Sequence, residues 1–180
     1  MPRFVAFLRA LNVGGGHVVK MDVLKRAFER MGFADVETFI ASGNVVFSAK
    51  AAKGHEAKIS RALEQQLAYE VAPFVRTLSE LAAVAAHEPF PKADVEAAPT
   101  FCVGFLSAKP DAAARKRLKA LETDADRFHV RGREFWWLSK NRQGGAAISG
   151  RVLEKTLGQP TTLRGVKTIL KMAARYGAFR

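Results

Sequence analysis

Val36-Glu37-Thr38-Phe39-Ile40-Ala41-Ser42-Gly43-Asn44-Val45-Val46-Phe47-Ser48 is the stretch that decides the fold. Residues 36–41 and 44–48 are strand-like runs, and the polar Ser42-Gly43 pair between them reads as a tight turn, so the segment predicts an antiparallel hairpin. On its N-terminal side, Leu24, Ala27, Phe28 and Met31 fall at i, i+3, i+4 and i+7. That spacing predicts an amphipathic helix over 21–31, stopped by Gly32. Further back, residues 3–10 place Phe4, Ala6 and Leu8 on one side and Val5 and Phe7 on the other. Both faces are apolar, which fits a central strand covered on both sides. Beyond the hairpin, Ile59, Leu63 and Leu67 recur every fourth residue in a predicted helix over 56–69, and a fourth strand is expected over 71–78. The order strand, helix, strand, strand, helix, strand is the split βαβ, ferredoxin-like arrangement.

The second half repeats this rhythm without repeating the residues. A short helix over 81–86 and the proline-marked stretch to Pro99 read as a connector. A strand follows over 101–107, then a helix over 111–121 opened by Pro110, a hairpin over 127–138 turning at Gly132, and helices over 151–157 and 162–176. The expected class is α+β: a ferredoxin-like βαββαβ subdomain over 1–80 and a connector over 81–99, the first subdomain packed on a second, smaller, basic α+β subdomain over 100–180.

A chain of 180 residues, 48% hydrophobic and 26% charged, can bury a core and is neither disordered nor fibrous in composition. No apolar run is long enough for a signal segment or a membrane span, so the expected location is cytoplasmic, with no membrane partner. Cys102 is the one cysteine, which excludes an internal disulfide; it lies in a strand-like run and is expected to be a buried, inert thiol. The net charge is +12, and its placement is uneven: residues 1–99 hold 12 Lys/Arg against 11 Asp/Glu, residues 100–180 hold 17 against 6. Such a basic half either meets a polyanion or is a solvated surface.

In a ferredoxin-like sheet the first two strands run parallel with the third between them. The end of the first strand, the hairpin turn and the start of the first helix therefore share one edge. This expectation gathers Arg9, Asn12, Gly14 and Gly15 with Ser42 and Asn44. Backbone donors, a helix N-terminus and Arg9 would favour a carboxylate or phosphate there, with Lys20 as a second charge. The competing reading is that the glycines only turn a loop and that Ser42 and Asn44 satisfy the hairpin backbone.

Several chemistries find no motif. Gly14 to Met21 lacks the Gly-Lys-Ser/Thr ending of a Walker loop, and no third glycine completes a dinucleotide fingerprint, so no cofactor is expected. His17, His55, His87 and His129 are scattered without metal-ligand spacing, and no metal site is expected. Ala41-Ser42-Gly43-Asn44 is not a hydrolase elbow.

Near the end, Arg164, Lys167, Lys171 and Arg175 step by three, four and four, a basic stripe on the predicted last helix, with Val166, Ile169, Leu170 and Ala173 on its apolar side. Arg164 and Lys171 are the cations that would converge on the edge site. Lys167 and Arg175, with Arg131 and Arg133, would instead track a nucleic-acid backbone. Trp136 and Trp137 are adjacent in a strand and face opposite sides, which leaves at most one to stack on a base. Three function classes stand: binding of a phosphate-bearing ligand or nucleic-acid backbone, an enzyme acting on a small phosphorylated or carboxylated metabolite, and a structural interaction module.

Leu8-Arg9-Ala10-Leu11-Asn12-Val13-Gly14-Gly15, Ser42-Gly43-Asn44-Val45-Val46-Phe47 and Thr162-Leu163-Arg164-Gly165-Val166-Lys167-Thr168-Ile169-Leu170-Lys171 together make the chain resemble a widespread bacterial domain-of-unknown-function family, the 1697 family. The resemblance implies a two-subdomain α+β protein with a ferredoxin-like part, and no reaction. Against the family pattern, Ala10 replaces a usual glycine, and Gly165-Val166 replace a usual Asn-Trp.

Overall fold

The computed structural model describes residues 1–9, 19–40, 42–51, 53–142 and 148–177. The chain is α+β and divides into two compact units, residues 1–82 with 175–180, and residues 83–174.

In the first unit the elements run β1 (Arg3–Arg9), α1 (Met21–Arg30), β2 (Ala34–Thr38), β3 (Asn44–Ser48), α2 (His55–Leu67) and β4 (Ala72–Thr77). Helix α3 (Leu78–Ala85) follows directly. The sheet order is β2-β3-β1-β4, and every described neighbouring pair is antiparallel. This is the topology that the hairpin and its flanking helices predict. Strand β1 is central, with Phe4, Ala6 and Leu8 joining Val45 and Phe47 beneath Leu24 and Phe28 of α1 and Ile59 and Leu63 of α2. Val5 and Phe7 on its other face are buried too, in line with the doubly apolar pattern. Each of these large side chains contributes about 1.5–3 kcal/mol by leaving water. His55 sits within this core, its ring edge-on to Phe4, Phe33 and Phe47 and its Nε2 2.8 Å from the Ala51 carbonyl.

The second unit repeats the topology. After α4 (Lys92–Ala97) come β5 (Thr100–Leu106), α5 (Ala112–Lys119), β6 (Asp126–Arg131), β7 (Glu134–Ser139), α6 (Gly150–Leu157), β8 (Thr161–Gly165) and α7 (Val166–Tyr176). The order β6-β7-β5-β8 is that of the first sheet, strand for strand. Helices α5 and α6 open on side-chain caps, Asp111 accepting from the Ala114 N–H at 2.7 Å and Ser149 from the Val152 N–H at 3.3 Å. Leu106, Phe128, Phe135 and Trp137 pack against Leu118, Leu153 and Leu157. Gly104 is opposite Phe135 in register, and a Cβ there would overlap the ring of Phe135.

Two expectations differ here. Residues 161–165 do not extend the last helix backward. They form β8, paired with β5 from Cys102↔Gly165 to Leu106↔Thr161, because completing the sheet satisfies the strand's backbone and buries Thr161, Thr162 and Arg164. Residues 92–97, expected to be connector, form the short helix α4 with Pro91 at its N-cap.

Candidate functional site

Strand pairing fixes the candidate edge. Phe7 lies opposite Asn44, and Arg9 lies opposite Ala72. One residue before Arg9, the Leu8 N–H donates to the Gly43 carbonyl at 2.9 Å, which ties the end of β1 to the β2–β3 turn. Gly43 takes φ +73°, a left-handed value that glycine adopts at no steric cost. Arg9 is half-buried, Ser42 is exposed and Asn44 is buried. The structure thus brings Arg9, Ser42 and Asn44 to one end of one sheet; Asn12, Gly14 and Gly15 lie outside the described residues.

Much of the turn's polar capacity serves the turn itself. The Asn44 amide Nδ2 donates to the Phe39 carbonyl at 3.1 Å and to Ser42 Oγ at 2.8 Å, while the Phe39 N–H donates to the Asn44 carbonyl at 2.9 Å. Asn44 is the strut that holds Ser42 in place. Beside it, Ile40 takes φ +51° and is 55% exposed. A β-branched residue in the left-handed region is strained, at a cost of about 1–2 kcal/mol, and here it gains no burial in return. Helix α1 opens after Lys20, which makes no side-chain capping bond, and Asp22 lies in its first turn.

The basic stripe does not survive intact. Arg164 is on β8, not on the last helix; it is buried and donates to Thr162 Oγ1 at 2.7 Å and to the Leu163 carbonyl at 2.9 Å. Burial pulls its pKa down to about 10. Lys167 and Lys171 are exposed on α7, but so is Leu170, whereas Ile169, Met172 and Tyr176 are buried. Arg175 pairs with Glu37 at 3.1 Å. Neither tryptophan is open to stacking, because Trp136 and Trp137 are each 1% exposed, and Trp137 Nε1 donates to Asp126 at 2.9 Å. Cys102 is buried, which pushes its thiol up to about 11.

Two clusters escaped the sequence reading. Glu37 accepts from Arg3 (3.1 Å) through one carboxylate oxygen and from Arg175 (3.1 Å) and Tyr176 Oη (3.3 Å) through the other, with Arg3 and Arg175 both lying over the Tyr176 ring. Such partners, up to 139 positions apart, share no local pattern. The second cluster joins two of the scattered histidines. The His87 and His129 rings are 5.0 Å apart, His87 is edge-on to Trp136 at 4.6 Å, and Arg131 Nη1 is 3.1 Å from His87 Nδ1. Burial first, then the charges of Arg131 and His129, lowers the pKa of His87. Arg131 is exposed and Arg133 half-buried.

A family model described as a protein of unknown function (DUF1697) matches residues 1–136. Among solved structures, the conserved bacterial protein SP0830 from Streptococcus pneumoniae is similar over 98% of this chain and 99% of its own, with a TM-score of 0.68 and 22% identity. At that identity the likeness is one of fold. No curated protein matches the sequence.

Proposed function

Since the chain belongs to the DUF1697 family of proteins of unknown function, its membership brings no activity, and we propose from geometry that it binds a small phosphate- or carboxylate-bearing ligand at the edge formed by Arg9 and the Ser42-Gly43-Asn44 turn. The observation that supports this reading is the 2.9 Å bond from the Leu8 N–H to the Gly43 carbonyl, which ties the end of β1, where Arg9 stands, to the turn that carries the exposed Ser42 and is braced by Asn44. Guanidinium and hydroxyl donors are the groups that phosphate and carboxylate oxygens accept from. The uncompensated strain at Ile40, in the same turn, is a second support, since strained backbone gathers at binding sites.

The test is a thermal-shift titration with inorganic phosphate and nucleoside 5′-monophosphates, where a ligand of the native state raises Tm by mass action. Arg9→Ala is expected to abolish the shift, and Lys167→Ala to leave it unchanged. An undiminished shift in Arg9→Ala overturns the reading. Contact with a nucleic-acid backbone is the second reading, favoured by the 17 cations against 6 acids of residues 100–180 and the exposure of Lys167 and Lys171. It calls for salt-dependent binding of a short RNA or DNA that the lysine pair loses and Arg9→Ala keeps.

A further inference from the structure

The end of α1 and the outward side of α2 enclose an open groove of about 530 Å³, formed by Arg30 and Met31 on one side and Ala57, Lys58, Arg61 and Ala62 on the other. We propose that this groove is a binding site for a compact polyphosphate group, the di- or triphosphate moiety of a small molecule, separate from the Arg9 edge and independent of the reading given there.

Charge balance carries the argument. Along α1 the neighbouring cations are each matched by a carboxylate one turn away, Arg26 with Asp22 at 3.5 Å and Lys25 with Glu29 at 3.9 Å. The three groove cations have no such match: no carboxylate lies within ion-pair distance of Arg30, Lys58 or Arg61 among the described residues. Two of them are nevertheless held in place by neutral partners. Arg30 Nη2 donates to Gln66 Oε1 at 3.0 Å, and Lys58 Nζ stands 5.0 Å from the centre of the Phe33 ring. An amide and an aromatic face orient a cation without neutralising it. Lys58 and Arg61, three residues apart, share one face of α2.

The groove is open because its α2 wall is small where it could be large, at Ala57 and Ala62. The negative end of α1, which would repel an anion, is partly offset by capping bonds. The carbonyls of Ala27, Phe28 and Glu29 accept from the N–H groups of Met31, Gly32 and Phe33. What remains is three positive charges, two of them held by neutral partners, with no acid in the lining, around a space larger than a single phosphate needs. Two guanidinium forks and an ammonium match the several oxygens of a phosphoanhydride chain better than the one carboxylate of a simple acid.

The experiment is an amide-resolved NMR titration of the full chain with sodium tripolyphosphate, repeated for Arg30→Ala/Arg61→Ala, Lys58→Ala and Arg9→Ala. All four positions are at least partly exposed, and far-UV circular dichroism with Tm confirms that each variant is folded. The shifts at residues 30–31 and 57–62 are expected to saturate with one affinity in wild type and in Arg9→Ala, whereas any shifts at residues 8–9 and 42–44 report the Arg9 edge and are lost in that variant. The double variant should bind at least tenfold more weakly and Lys58→Ala severalfold more weakly. The proposal is overturned if tripolyphosphate gives no saturable shift at residues 30–31 and 57–62, if the affinity read there is unchanged in the double variant, or if the shifts are confined to residues 8–9 and 42–44. That last pattern would leave the Arg9 reading standing, so the two fail separately.

Discussion

Ile40 shows at the scale of one residue how a local rule can be broken without visible compensation. Its φ of +51° is a value that glycine reaches freely and isoleucine does not. Ile40→Gly is expected to raise stability by about 1 kcal/mol in urea denaturation, since relief of strain exceeds the entropy that glycine adds to the unfolded chain. If the strained turn shapes the anion site, the same variant weakens ligand binding while it stabilises the protein. His87 gives a second residue-scale expectation. Its folded pKa lies below the ordinary 6.5, so the unfolded chain takes up the proton first. Stability therefore falls as pH drops through 6.5 and levels off below the folded pKa. Urea midpoints from pH 8 to 5 check this, and His87→Gln should flatten the profile. The sequence offered Arg9, Ser42 and Asn44 as candidates because polar residues beside glycine interrupt apolar strands. It offered nothing for Glu37 or the His87 cluster, whose members meet only through strand register, the return of α7 and the stretch after α3 that carries His87.

Among elements, β3 and the flanking helices were legible because their burial follows a clean period, and Leu24, Ala27, Phe28, Ile59 and Leu63 all face one core. Strand β8 was not. Thr161-Thr162-Leu163-Arg164-Gly165 is too short to show alternation, and Arg164 falls three residues before Lys167, so the helical spacing of α7 runs smoothly backward over it. Pairing with β5 overrides that local appearance. The β5–β7 contact makes a sharper demand. Phe135 lies across Gly104, and Gly104→Ala should cost about 1–3 kcal/mol through overpacking, measured by chemical denaturation. A compensating Phe135→Leu should return part of that loss; full retention of stability by Gly104→Ala would mean the ring moves aside freely.

In the whole molecule, one topology occurs twice, and the unit boundary falls inside α7, whose last turn belongs with residues 1–82. The Glu37 cluster is where that turn is held. Glu37 is 40% exposed, so its bonds to Arg3, Arg175 and Tyr176 are partly screened, and Glu37→Gln should cost about 1 kcal/mol or less. The Tyr176 phenol, raised first by burial and next by the Glu37 charge, should titrate at lower pH in that variant, which ultraviolet difference spectroscopy of the phenolate can follow. The charge asymmetry between the halves was readable as a count. Its structural meaning was not, because Arg164 is spent inside a sheet and Arg175 on a carboxylate.

The strand order has a bearing on biosynthesis. In each sheet the strand made first is flanked by the two made third and fourth. While a ribosome is still extending the chain, β5 therefore presents an unoccupied edge until residue 165 has emerged. The nascent chain carries a sticky, half-built surface for most of the time needed to translate its second half, and a pause in that interval is when a chaperone would matter most.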